Sequence, residues 1–183
     1  LIQGHVIDIP GHDVLTSSSS NLFGKLNEVL IDDTIHIDHK KIIINNVNLL
    51  YAMYRSIMNK KIYEISNNIR YDIVYLINSS IDIKKYVIDN SIVANIADIN
   101  GIIKANIYKN HKEYGLFSID PSFIIGESRY IDTLGSMFEF YKNNSLWNML
   151  DLNDLGSSVK YTSLNTLLYK WLSIRNIRTE SIN

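Results

Sequence analysis

The sequence predicts a mainly β domain closed by a C-terminal helix, and three observations carry that prediction. Isoleucine and valine recur in short runs separated by polar pairs such as Asp32-Asp33 and Asn45-Asn46, the pattern of strands and turns. Asn100-Gly101 stands between two such runs and supplies the positive-φ pair that a type I′ hairpin turn requires. Near the C-terminus Leu164, Leu167, Leu168, Trp171 and Leu172 fall on one stripe of a helix.

Length and composition bound the reading. At 183 residues and 46% hydrophobic content the chain is long enough for one domain with a sizeable core, or for two small barrels sharing an interface. Its formal charge is −1 without blocks of like charge, which argues against a nucleic-acid footprint or an anionic-membrane surface. No cysteine is present, so thiolate catalysis, thiol-ligated zinc and a disulfide framework are excluded, and a reducing compartment such as the cytoplasm is favoured. No metal or other cofactor is expected: the five histidines lack ligand spacing, and His36 and His39 lie in a stretch that alternates like a strand. There is no run of the ~20 apolar residues that a membrane span requires, and no signal-peptide pattern. An excess of isoleucine and asparagine over proline reads as the coding bias of an AT-rich genome, viral, protozoan or mycoplasmal. Because the chain begins at Leu1 without methionine, a fragment or a processed product is expected.

In order, residues 1–16 read as two short strands about a Pro10-Gly11 turn, followed by the polar run Ser17 to Ser20. Residues 27–50 read as a meander of two or three strands. Residues 51–59 fit a short helix or a further strand, and 70–77 a strand entered through Asp72, whose carboxylate could cap that entry. Residues 79–89 form a polar connection. The hairpin 93–108 follows, then an exposed loop over 109–115 and a strand over 116–119 before Pro121. The helix 165–174 is capped by Thr162 or Ser163.

Four segments, in order, resemble the trypsin-like (chymotrypsin-fold) serine proteases. Gly4, Val6-Ile7 and Val14-Leu15-Thr16 match the strand pair ahead of the general base, whose slot holds Ser19. Arg70 to Ile77 matches the strand that delivers the triad aspartate, retained as Asp72. Ile131 to Ser136 occupies the nucleophile turn, with Thr133 in the serine slot and Asp132 before it, and Glu127 and Ser128 at the floor of the specificity pocket. Val159 to Leu164 leads into the terminal helix. The resemblance implies two antiparallel β-barrels over residues 1–80 and 81–160 with a terminal helix over 161–177. The family's first strand would come from a preceding or cleaved N-terminal segment.

The family's chemistry does not follow. Ser19 is no general base near neutral pH, the methyl of Thr133 crowds attack, and Ile131 and Leu134 replace the glycines that shape an oxyanion hole. The resemblance therefore implies an inactive homologue, a pseudoprotease serving as a protein- or peptide-binding scaffold, with Glu127 selecting a basic side chain. An alternative is an enzyme with relocated groups, since His12 and the Tyr108 to Lys112 spacing are similar in order to the early His and Tyr-x-x-x-Lys of the viral cGAMP nucleases. A third is an unrelated, mainly β interaction domain.

Overall fold

The computed structural model describes residues 31, 33, 37–78, 101–110, 116–143 and 164–182. In chain order its elements are α1 (Ile37–Asn67), β1 (Ile73–Ile77), β2 (Ile102–Asn110), β3 (Leu116–Glu127), α2 (Ser128–Asn143), α3 (Leu164–Ile174) and β4 (Arg178–Ser181). Helix accounts for 58% and strand for 29% of these residues, in three helices and one four-stranded sheet, so the expected double β-barrel of chymotrypsin type is overturned. With it goes the structural basis for calling the chain a serine protease homologue.

The largest correction is α1, a helix of 31 residues whose stretch 37–50 was expected in a strand meander, while 51–59 was read as a short helix or a strand. Its isoleucines favour strands only in the sense that they suit a pleated, half-buried surface; in a helix they cost a few tenths of a kcal/mol each. What decides the matter is spacing. Val47, Leu50, Met53 and Ile57 recur every three or four residues, all are buried, and they join one cluster with residues of α2, α3 and the sheet. Asp38 in the first turn suits the positive end of the helix dipole.

The second correction is α2. The residues matched to a nucleophile turn form a helix whose buried apolar side chains are Ile131, Leu134, Met137 and Phe138. Gly135, matched to a turn glycine, is buried mid-helix: a Cβ there would stand 3.0 Å from Ile57 Cγ2, so its bareness is what lets α1 and α2 approach. The α3 stripe lies where the sequence predicts it, with Leu164, Leu167, Leu168, Trp171 and Leu172 all buried.

The sheet order is β1-β3-β2-β4, with β3 antiparallel to both neighbours and β4 parallel to β2. Gly101 enters β2 with φ +80, the left-handed conformation expected of its turn; the partner run 93–99 lies outside the described residues. β3 passes through Pro121 although proline has no N–H for a ladder. The pairing accommodates it: β2 aligns Ala105 with Ile124 but Ile107 with Ile119, so Asp120, Pro121 and Ser122 are bulged away from β2. Asp120 Oδ1 accepts the Ser122 N–H at 2.9 Å within that bulge. The helices cover the face carrying Ile103, Ala105, Ile119 and Ile124, while Phe123 and Ile125 centre a smaller cluster on the other face.

Candidate functional site

The site grows from the way α1 ends. Asn68 adopts φ 50, its N–H reaches the Ile65 carbonyl at 3.3 Å, and the Ile69 N–H reaches the Glu64 carbonyl at 3.0 Å. This is the Schellman arrangement, which asparagine tolerates because a short polar side chain accepts the left-handed region. It turns the chain toward β1 and leaves Glu64 at the corner.

The Glu64 side chain then ties the corner to α2. Its Oε1 accepts the Tyr71 N–H at 2.9 Å and the Ser128 hydroxyl at 3.2 Å, while Oε2 lies 3.1 Å from Lys60 Nζ. Lys60 Nζ donates to Ser128 Oγ and stands 3.0 Å from Asp132 Oδ1, an ion-pair distance without the alignment of a hydrogen bond. Lys61 reaches the other Asp132 oxygen at 3.9 Å. Side-chain exposures of 6%, 12% and 24% for Lys60, Glu64 and Asp132 place the cluster largely out of water. Burial pushes the Glu64 carboxyl up, but the Tyr71 N–H, the Lys60 ammonium and the Ser128 hydroxyl outweigh it and hold the group below its ordinary value.

Four residues on two helices meet here because of period alone. Lys60 and Glu64 are one turn apart on α1, Ser128 and Asp132 one turn apart on α2, so each pair projects from one face. Chemically the arrangement is a brace. Acyl transfer by a Ser-Lys pair needs a lysine that accepts the hydroxyl proton; Lys60 instead donates to Ser128 Oγ, whose own proton goes to Glu64. Ser128 is also 3% exposed, out of reach of a substrate.

Opposite the brace, the last turns of α1 present Ile62 and Ile65 to solvent at 58% and 80% exposure, and Ile69, just past the end of the helix, is 42% exposed. Isolated exposed isoleucines are ordinary, but Ile62 and Ile65, three apart, are neighbours on one face of α1, and Ile69 follows beyond the turn at Asn68. Of the bases near these residues in sequence, Arg55 and Arg70 are exposed and Lys61 is half-buried.

The residues singled out from the sequence are partly reunited. Ser128 and Asp132 share the Lys60 cluster, and the Asp72 carbonyl accepts the Ser128 N–H at 3.0 Å, while the Asp72 residue itself is exposed. Glu127 Oε1 accepts the Gly101 N–H at 2.7 Å, and Oε2 pairs with Arg129 Nε at 2.7 Å. The Gly101 N–H, opposed by burial and aided by Arg129, lowers its pKa. The Thr133 hydroxyl bonds the Arg129 carbonyl of its own helix at 3.1 Å, and its carbonyl accepts Trp171 Nε1–H at 3.0 Å. Tyr108 is exposed on β2; Ser19, His12 and Lys112 lie outside the described residues. Lys60 and Glu64 were missed, although a Lys and a Glu four apart is itself a helix signal.

Among the described residues no group of three or more His, Asp or Glu side chains could hold a metal, and no helix is long and apolar enough to cross a membrane. Comparison with protein-family models, with curated proteins and with solved structures returns no match.

Proposed function

We propose that this chain is a non-catalytic protein-binding module whose contact surface is the outer face of the C-terminal half of α1. The observation that carries this reading is the exposure of Ile62 and Ile65 on the last turns of a helix, with Ile69 exposed just past its end, opposite the face locked by Lys60, Glu64, Ser128 and Asp132. Each isoleucine side chain contributes about 1.5–3 kcal/mol when fully buried, so three together are enough for the centre of an interface. A braced helix loses little conformational freedom on binding, which favours affinity.

A photo-cross-linking residue placed at position 65, with the same residue at position 174 as control, tests the reading in extract from the source cells. Ile174 is also exposed, at 64%, but lies at the end of α3 away from these isoleucines. Adducts are expected from position 65 alone and are lost when Ile62→Asp is added. Equal adducts from both positions, or adducts indifferent to Ile62→Asp, would remove the proposal.

A further inference from the structure

The two edges of the sheet are built differently. Strand order makes β1 and β4 the edges. β4 is guarded as edge strands usually are: it is four residues long and carries Arg178 and Glu180, paired at 2.8 Å. β1, Ile73-Val74-Tyr75-Leu76-Ile77, has neither charge nor proline, and among the described residues it is bonded to β3 alone.

The backbone groups that β3 leaves over can be named. At the two ends of β1 the Ser128 N–H donates to the Asp72 carbonyl at 3.0 Å, and the Asn78 N–H to the Ser122 carbonyl at 2.8 Å. Bonded positions alternate along an antiparallel ladder, so Val74 and Leu76 complete the ladder with Gly126 and Ile124. Ile73, Tyr75 and Ile77 turn their N–H and C=O groups the other way, toward the edge that no described residue occupies. Such an edge is a template for a further strand.

We infer that the strand pairing there is β1 of a second copy, in a twofold dimer with one continuous sheet. A contact of this symmetry requires a patch that matches itself after a half-turn. Set antiparallel about Tyr75, β1 does so. Ile73 meets the partner's Ile77, Val74 meets the partner's Leu76, Tyr75 meets the partner's Tyr75, and at the margin Asp72 meets the partner's Asn78. The strand thus reads nearly alike in both directions, and no like charges oppose one another.

This register also satisfies the leftover groups: Ile73, Tyr75 and Ile77 exchange their hydrogen bonds with the partner's Ile77, the partner's Tyr75 and the partner's Ile73. The dyad stands perpendicular to the sheet, so side chains keep their faces. Val74 and Leu76 remain with the main core beneath the helices, while Ile73, Tyr75 and Ile77 carry the cluster of Phe123 and Ile125 across to the second copy. Assembly stops at two, because each copy uses its one unguarded edge and β4 stays guarded. A strand of another protein would satisfy the same backbone but would not account for a side-chain pattern that matches itself. The pairing uses neither Ile62 nor Ile65 and is independent of the contact face on α1.

The test is amide hydrogen exchange of the full chain, followed by NMR from about 30 µM to about 1 mM alongside sedimentation equilibrium. Val74 and Leu76 are expected to be protected throughout, whereas protection of Ile73, Tyr75 and Ile77 should appear with the dimer. Side-chain pairs then fix the register. Ile73→Lys with Ile77→Lys sets lysine against lysine and should weaken the dimer about tenfold or more, while Ile73→Lys with Ile77→Glu sets lysine against glutamate and should restore it. The exchange measurement needs no variant, so it decides even if a double variant fails to fold. A monomer at every concentration, a dimer that leaves the three amides unprotected, protection of the three in the monomer, or folded double variants of equal affinity would each overturn the inference.

Discussion

Two corners of this molecule are written with the same three residues. Asn68-Ile69-Arg70 ends α1 and leads to β1; Asn176-Ile177-Arg178 ends α3 and leads to β4. The backbone is the same at both: the asparagines have φ 50 and φ 55, and each isoleucine N–H returns to the carbonyl five residues back, Glu64 or Leu172, at 3.0 Å. The side chains part company. Ile177 is 7% exposed and packs in the main core with Leu172, the apolar contact that usually accompanies this turn, whereas Ile69 is 42% exposed.

The difference lies in what stands at the residue whose carbonyl closes the turn. Leu172 offers its corner an apolar partner, so the isoleucine folds onto it. Glu64 offers a carboxylate that takes the Tyr71 N–H, Ser128 and Lys60, so polar contacts hold the corner and the isoleucine remains outside. One local code thus produces a structural corner in one place and a presenting corner in the other.

The most damaging way to break the contrast is to remove the cation. Lys60→Met leaves Glu64 and Asp132 buried together without their partner, and a loss of about 3–5 kcal/mol is expected in urea unfolding. Adding Glu64→Gln and Asp132→Asn should recover much of that loss, because neutral amides tolerate one another; no recovery would mean that Lys60 matters for packing alone.

Next come the isoleucines themselves. Ile177→Ala is expected to cost about 2–4 kcal/mol, and Ile69→Ala less than about 1 kcal/mol, read from the same denaturation curves. As an internal control, Asn68→Ala and Asn176→Ala should each cost about 1–2 kcal/mol, since both force alanine into the left-handed region. Equal costs for the two isoleucines would dissolve the distinction between the corners.

The smallest effect sharpens the comparison through pH. Glu64 is held below its ordinary value in the folded protein, so its contribution is complete above the unfolded value and is lost as pH falls through the folded one. The α3 corner has leucine at that position and no such dependence. Wild-type protein should therefore lose stability on acidification below the ordinary glutamate range by more than Glu64→Gln does, and identical acid sensitivity of the two would show that the carboxylate is not the linked group.

α3, β1, most of β2 and the start of β3 could be read from the chain, whereas β3 beyond residue 119 and the whole of β4 could not. The strand at Ile73 to Ile77, the positive φ at Gly101 and the α3 stripe depend on contacts within a few residues, where period and turn chemistry act directly. The first half of α1 was illegible for the opposite reason: consecutive isoleucines at 42–44 look like a strand, and only burial of Val47, Leu50, Met53 and Ile57 against distant elements selects the helix. The match of 131–136 to a nucleophile turn failed because residue types in a row carry no backbone geometry; on a helix, Ile131 and Leu134 face the core and Asp132 faces Lys60.

By itself the sequence determined the positive φ of Gly101, the helical stripe near its end, and the residues Ser128 and Asp132 as worth attention. That Lys60 and Glu64 would be buried against them, and that Ile62, Ile65 and Ile69 would consequently be left outside, was decided only by the packing of α1 on α2. The physical reason is distance along the chain: a salt bridge between residues more than sixty positions apart has no local signature, and an isoleucine is equally apolar whether the fold covers it or leaves it exposed.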